Sequence, residues 1–510
     1  MSSLALKWSP VATWRIGWGI AAILASILIM QIGTSINQIL AVLMSSIVLI
    51  IWSQSKPNGF IAALLFFFVK PVFVRMAYAV DTSFGTSDSF DLLGITPALL
   101  LAGLIIWHLY MRMSSGEKIT VGRTRLLIVL FSVVAFASIL NPANSVMLGL
   151  GGFERNVLPN MMVLLTASFV FADILDAKKL LKALILLGLA SCVYGIGQYF
   201  PGLYPWEKGW ILNVAFKESS AGWLTTGLRG VEFRLFSFFF NYMDFTFSNA
   251  LIFTLAISFG TELEGMWKKV RILYIILWFI VLLLSLERMP LLMSIVAMAA
   301  VYYLNSEKRT RKRIVWKVAT LLTLLLLTLS LASPYLKSTG ADKLIRLAEL
   351  ANPFAAASIE DRMFSNWTPT LQTITANPLG VGIGYGSQTR ANSIAARSDF
   401  WVEPHNELLQ KTLETGIFGG IIFLLLGISV FRDGLRLSRS YGPEKRLGIG
   451  FVAGTIGFWL CGMVNVPFSG SSGLLYWTIA GVVLSLSESA NKATLIDAKK
   501  NTETADISSS

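Results

Sequence analysis

Long apolar stretches separated by short polar interruptions run through this chain from end to end. They fall at about 14–32, 35–53, 58–80, 92–111, 126–141, 156–173, 180–200, 236–260, 272–286, 289–304, 317–336, 413–431, 448–467 and 473–487. Each is continuous, and most approach the roughly 20 residues that carry an α-helix across a bilayer. The pattern predicts an all-α polytopic membrane protein with about 14 transmembrane helices. A transmembrane β-barrel would alternate apolar and polar residues instead. The first stretch begins near Trp14 and has no small-residue cleavage site behind it, so it reads as a retained helix, not a signal peptide.

Composition agrees. Of 510 residues, 55% are hydrophobic and 14% charged, against roughly 25% charged in soluble domains, and the mean hydropathy is +0.66. A soluble enzyme and a disordered chain are both excluded. A net charge of +13 would suggest a nucleic-acid binder until the cations are placed. They gather in alternate connections: Arg112, Lys118, Arg123 and Arg125; Lys178, Lys179 and Lys182; Lys268, Lys269 and Arg271; the run from Lys308 to Lys317; and Arg432 to Arg446. The intervening short connections are nearly free of them, and the one at 81–91 carries Asp81, Asp88 and Asp91. Cytoplasmic loops hold the excess of Lys and Arg, so both termini are expected in the cytoplasm and no nucleic-acid partner is expected. Cys192 and Cys461 both fall in apolar stretches, which leaves no disulfide framework.

Two outer segments exceed what a connector needs. The chain divides into helices 1–7 over 1–200, a first outer loop at 201–235, helices 8–11 over 236–336, a large outer loop at 337–412, helices 12–14 over 413–487 and a cytoplasmic tail at 488–510. Within the large loop, 343–350 and 362–374 place apolar residues on one helical face, including Phe364, Trp367, Leu371 and Ile374. This predicts short interfacial helices forming a cap on the outer leaflet.

The candidate chemistry is sparse. Of two histidines, His108 sits beside Trp107 at a helix end and reads as an interfacial ring. His405 lies in the large outer loop, in the run Glu403-Pro404-His405-Asn406-Glu407. Imidazole suits proton transfer near neutral pH, although a lone loop histidine is more often structural. Arg234, Arg288 and Arg362 fall at the outer face, where each could mark a membrane boundary or snorkel. Lys70 and Arg75 lie inside the third apolar stretch and require a wet cavity or a partner there. Arg155 and Arg229 also face outward. Gly380, Gly382, Gly384 and Gly386 lack the Lys-Ser/Thr of a phosphate loop and suit close backbone packing, as do Gly416, Gly419 and Gly420.

The stretch 405–419, HNELLQKTLETGIFG, resembles the His-Asn signature of the O-antigen ligase and polysaccharide polymerase superfamily, with nine residues between Asn406 and Gly416-x-x-Gly419. Asn377-Pro-Leu-Gly-Val-Gly-Ile-Gly-Tyr-Gly386 is similar to that family's Asn-Pro-x-Gly-x-Gly segment. Arg362 before Trp367 resembles the arginine preceding it, Leu284–Leu291 resembles its Ser-Arg turn, and Arg234 before Phe236 the arginine that opens an earlier span. The resemblance covers roughly 220–435, and Glu287 stands where the family has Ser, placing a carboxylate beside Arg288.

The resemblance implies a GT-C-like membrane glycosyltransferase in the bacterial cytoplasmic (inner) membrane, its active site facing outward. It would transfer a glycan from undecaprenyl diphosphate to a sugar hydroxyl by an inverting, metal-independent route, with no cofactor. His405 would be catalytic and Arg234, Arg288 and Arg362 would bind the diphosphate. Asn406, Glu403, Glu414 and Glu287 would support them, and Lys70, Arg75 and Arg229 are further candidates for the diphosphate site. Expected partners are the lipid-linked donor, a glycan or lipid-linked acceptor, membrane lipids, and a chain-length regulator or flippase. The residues alone agree: guanidinium suits diphosphate oxygens, and the outer side has no Asp-x-Asp pair or His/Cys cluster. Fourteen spans and a large loop favour a polymerase over a ligase that joins glycan to a lipid A core or other surface acceptor. A flippase for the same lipid would show an internal repeat, and none is visible.

Overall fold

The computed structural model describes residues 36–80, 92–115, 122–210, 235–239, 241–285, 287–307, 309–311, 313, 320, 362–385 and 404–509. The apolar stretches at 14–32 and 317–336 (save residue 320), the helix expected at 343–350, and Arg229, Arg234 and Glu403 lie outside them.

Among the described residues every regular element is helical. Among these residues seven helices are long and apolar enough to cross a membrane, and Val42–Gln54 and Tyr242–Ile257 are shorter apolar helices. The chain forms two compact units, 1–119 with 205–214, and 120–204 with 215–510.

The first unit contains α1 (Ile36–Gln54), α2 (Lys56–Val80), α3 (Leu92–Ser114) and the short α8 (Pro205–Trp210). Gly59 of α2 lies directly on the backbone of Trp52, which brings α1 and α2 close. The Arg75 guanidinium meets the Glu207 carboxylate of α8 at 2.8 Å, and both side chains are fully buried. Its Nε–H also donates to the Pro71 carbonyl at 3.2 Å. The charge at 75 is thus satisfied within this unit. Lys56 Nζ stands 2.9 Å from His108 Nδ1.

The second unit contains α4 (Arg123–Ala137), α5 (Val146–Asn156), α6 (Leu158–Val170), α7 (Ile174–Tyr199), α9 (Tyr242–Ile257), α10 (Met266–Ser285), α11 (Arg288–Asn305), α12 (Thr368–Ala376), α13 (Glu407–Leu437), α14 (Gly442–Gly462) and α15 (Gly470–Ser509). Helix α9 is buried on every face from Asp244 to Ala256, as a helix at the centre of a bundle is. It packs against α7, α10, α11, α14 and α15. Polar residues knot it in place. Asn249 Nδ2 donates to Ser191 Oγ at 3.0 Å and to the Phe245 carbonyl at 2.9 Å, while the Tyr274 hydroxyl donates to the Asn249 carbonyl at 2.8 Å.

The two ends of this unit differ. At one end Arg125 grips both Glu488 oxygens at 3.0 and 2.7 Å and the Ser168 carbonyl at 2.7 Å. Thr124 donates to Asp433 at 2.9 Å, and Arg446 pairs with Glu262 at 2.9 Å. At the other end α7, α10 and α14 finish and α9, α11, α13 and α15 begin, and here the His-Asn segment lies.

Two boundaries depart from the hydropathy reading. Helix α13 begins at Glu407, inside the stretch assigned to the large loop, because Asn406 Oδ1 caps the Leu409 amide at 3.0 Å. Helix α5 occupies what read as a connector, started by Ser145, whose hydroxyl accepts from Leu148 N–H at 3.2 Å.

Candidate functional site

The site is built around a break in α13. Gly416 has φ 77° and ψ 175°, far from helical values, so Glu407–Thr415 and Ile417–Leu437 are separate helical pieces. Non-helical backbone at membrane depth must find hydrogen bonds within the protein. The segment 377–385 supplies them. The amides of Val381 and Gly382 donate to the carbonyls of Leu413 and Glu414 at 2.9 and 3.2 Å, and Ile417 N–H donates to the Pro378 carbonyl at 3.0 Å.

The alternating glycines make this clasp. Gly380, Gly382 and Gly384 have φ of 86°, 95° and 84°, a region that favours glycine. A Cβ on Gly380 would lie 2.5 Å from Gly416 N, one on Gly382 2.7 Å from Asn144 Cβ, and one on Gly384 2.6 Å from the Leu148 carbonyl. The segment is thus pressed between α13 and 138–152. Asn141 and Asn144 fasten its outer side, their Nδ2 groups donating to the carbonyls of Gly380 at 2.9 Å and Ile383 at 2.7 Å. Val381, with Ile374 of α12 and Leu413 of α13, forms a small apolar core beneath it.

His405 stands just ahead of α13, half-buried, with φ 46°. Among the described residues only Ser237 shares a left-handed backbone without being glycine, and such conformations gather where surrounding structure imposes them. Asn406, besides capping α13, donates through Nδ2 to the Met463 carbonyl at 3.1 Å, at the end of α14. On the same turn the Cys461 thiol lies 3.7 Å from the Met289 carbonyl, and Met289 follows Arg288, the first residue of α11. His405 and Arg288 therefore each adjoin a residue held by the last turn of α14. Both Glu287 and Arg288 are half-buried.

Ser237 marks a second fixed point. Gln198 of α7 grips its backbone from both sides, accepting from its N–H at 2.8 Å and donating to its carbonyl at 3.2 Å. Residues 235–238 follow Arg234 directly and are buried. Arg362 opens a π-helical turn, Arg362–Trp367, that continues into α12. Glu414 is fully buried at the break, with Oε1 3.4 Å from Gln410 Nε2 and Oε2 without a hydrogen-bond partner. It stands beside the glycine clasp, its backbone carbonyl accepting from Gly382 N–H. Lys70 is half-buried in the first unit.

A family model described as O-antigen ligase matches residues 273–424. Over 117 residues the chain is 27% identical to an O-antigen polymerase of Salmonella muenchen. The two matches support the O-antigen ligase and polymerase superfamily. The second covers 22% of this chain and 29% of the Salmonella protein, so the chain spans less than a third of that relative's length. The family's segment takes in α11, the glycine clasp, His405 and the break in α13. It leaves out Arg234 and the connection between α14 and α15.

That connection holds what the sequence reading missed. Between Met463 and Ser472 the chain dips back into the bundle, and Phe468 is buried against Phe458, Trp459, Tyr476 and Trp477 at ring separations of 4.8–5.7 Å. Three charged groups hold it: Asp244, Glu407 and Lys411, all buried. Asp244 Oδ1 accepts from Ser472 N–H at 3.1 Å and from its hydroxyl at 3.2 Å. The signals available were weak: an Asn241-x-x-Asp244 capping spacing, and Pro467 to Gly473 falling between two apolar stretches.

Proposed function

We propose that this chain is an inverting membrane glycosyltransferase that moves a glycan from undecaprenyl diphosphate to a sugar hydroxyl on the outer face of the cytoplasmic membrane. In this reading it is a surface-polysaccharide polymerase. The observation that carries the reading is the left-handed His405, inside the family's matched segment, with its neighbour and that of Arg288 held by one turn of α14.

An acceptor hydroxyl needs a base and a leaving diphosphate needs fixed positive charge. His405 takes the proton of the acceptor hydroxyl on a ring nitrogen. The hydroxyl oxygen attacks the anomeric carbon as the bond to the diphosphate oxygen breaks, and undecaprenyl diphosphate departs with its charge met by Arg288, Arg234 and Arg362. The planar guanidinium fork suits those oxygens better than an ammonium would. Glu287 beside Arg288 and Asn406 beside His405 hold the two groups in register.

Fourteen spans, with both termini in the cytoplasm, accommodate this chemistry. Arg125, Arg436 and Arg446 gather at the end of the second unit opposite His405, which supports an outward-facing site. The polymerase reading draws support from the name of the Salmonella relative. The family description favours the alternative, in which the acceptor is a lipid A core or another surface molecule.

The test is His405→Ala in cells. Membrane levels stay at wild type while glycan transfer falls by about 10²–10⁴, and a variant at full activity removes the catalytic role. A glycan gel of cells lacking the protein, with lipid-linked and surface fractions run separately, then decides the acceptor. Single repeat units mean a polymerase, whereas long chains stranded on the lipid mean a ligase.

A further inference from the structure

Glu407 and Lys411 form an ion pair one helical turn apart, Nζ to Oε1 3.3 Å, with side chains 2% exposed or less. An exposed pair at this spacing would support the helix equally well. Burying both charges is costly, and a buried pair adds little net stability by itself. What the pair does is visible in its other contacts. Glu407 Oε2 accepts from Phe468 N–H at 3.0 Å. The Ser469 hydroxyl lies 3.1 Å from Lys411 Nζ and 3.4 Å from Glu407 Oε1. The pair is thus spent on the re-entrant turn between α14 and α15, whose far end Asp244 holds through Ser472.

Glu407 is also the first residue of α13, two places after His405, and Asn406 between them is tied to Met463. Both attachments join the His405 segment to the same connection. His405 sits at φ 46°, a conformation that a free chain end would leave, so the attachments on its C-terminal side hold it there.

Resting on the glycosyltransferase reading above, we infer that Glu407 is a positioning residue for His405. Through the Phe468 amide, and with Lys411 as counter-ion, it latches the start of α13 to the re-entrant turn and fixes the direction in which the imidazole is presented. It does not touch the substrate. Its loss therefore slows the transfer step and leaves donor binding, which belongs to the arginines, intact.

The test uses full-length protein in detergent, with lipid-linked glycan extracted from cells lacking the protein as donor. Glu407→Met with Lys411→Met removes both charges and the acceptor while conserving bulk. The expected result is a folded protein whose kcat falls about tenfold or more while KM for the donor moves less than about twofold. Glu407→Gln on the Lys411→Met background restores an acceptor for the Phe468 amide and regains a large part of kcat. A purely structural role predicts activity that tracks thermal stability in both variants.

A folded Met/Met protein with full kcat overturns the inference, and so does a fall in kcat that Gln does not relieve. If the Met/Met protein fails to accumulate, Asn406→Asp decides. It keeps the helix cap and replaces the donor to Met463 with a carboxylate oxygen that repels its carbonyl, and the same kcat-against-KM split is expected, with an unchanged kcat overturning the inference. His405→Ala run alongside separates the two levels. Full activity there defeats the catalytic reading itself, whereas an inactive His405→Ala beside a fully active Met/Met protein defeats only the role of Glu407.

Discussion

Replacing Gly416 by alanine tests whether the break in α13 is held as described. At φ 77° and ψ 175° an L-residue is strained by about 1–3 kcal/mol. The new Cβ would also stand 2.6 Å from the carbonyl carbon of Leu379 and 2.8 Å from the oxygens of Leu379 and Pro378. These are backbone atoms that cannot rotate away, and such overpacking costs about 1–3 kcal/mol more. Straightening α13 offers no escape. It would forfeit the bonds from Val381, Gly382 and Ile417 to Leu413, Glu414 and Pro378, at about 0.5–1.5 kcal/mol each. The strained fit costs about 2–6 kcal/mol and straightening about 1.5–4.5 kcal/mol. With an unfolding entropy of roughly 2.1 cal/mol/K per residue, a chain of 510 residues melts about 1.5–6 °C lower. The assay is thermal unfolding of the purified protein in detergent. Gly103→Ala is the control, since it lies in a helix with nothing within 4 Å of the added methyl, and it holds or slightly raises Tm. A Gly416→Ala protein melting within about 1 °C of wild type would refute the account of the clasp.

Arg288→Ala is expected to reduce glycan transfer by about 10²–10³ at unchanged membrane levels, as loss of a charge-stabilising group does. Arg288→Lys restores only part, because the ammonium lacks the fork; initial rates on lipid-linked donor measure both, and full recovery by lysine would argue for a mere membrane-boundary charge. At the opposite end, Arg125→Ala removes a buried guanidinium from Glu488 and Ser168. Glu488 is partly exposed, its side chain 30% accessible, so water takes over some of its solvation and the loss is about 1–3 kcal/mol. It reads as a lower Tm with kcat per folded molecule unchanged.

The helices were legible because membrane burial writes itself into continuous local sequence. The stretches read at 35–53, 58–80 and 289–304 became Ile36–Gln54, Lys56–Val80 and Arg288–Asn305. The site was legible only in part. His405 and the glycine segment carry a local signature, whereas their fixing is long-range. Glu407 and Lys411 read as part of the large outer loop, and only Phe468 and Ser469, far along the chain, reveal them as a buried pair at the start of a helix. Gly416 read as a packing glycine, since hydropathy is apolar on both sides of it and nothing in composition marks a change of φ. Its pairing with Gly380, and the i, i+2, i+4 spacing of the three positive-φ glycines, required the fold. For Arg75 the sequence demanded a cavity or a partner, and Glu207 supplied the partner from a short helix that hydropathy does not register.

The clasp also shapes how this gene can change. Gly380 and Gly416 abut one another, as do Gly384 and Gly152, whose added Cβ would lie 2.5 Å from the Gly384 Cα. A harmful side chain is commonly relieved by trimming whatever it strikes. Here every struck atom is backbone, of Pro378 and Leu379 for Gly416 and of Leu148 and Gly152 for Gly384, so no trimming of a side chain can make room. A genetic screen for revertants of Gly416→Ala or Gly384→Ala would return the original codon, or changes that shift backbone, and none that shortens the opposing residue.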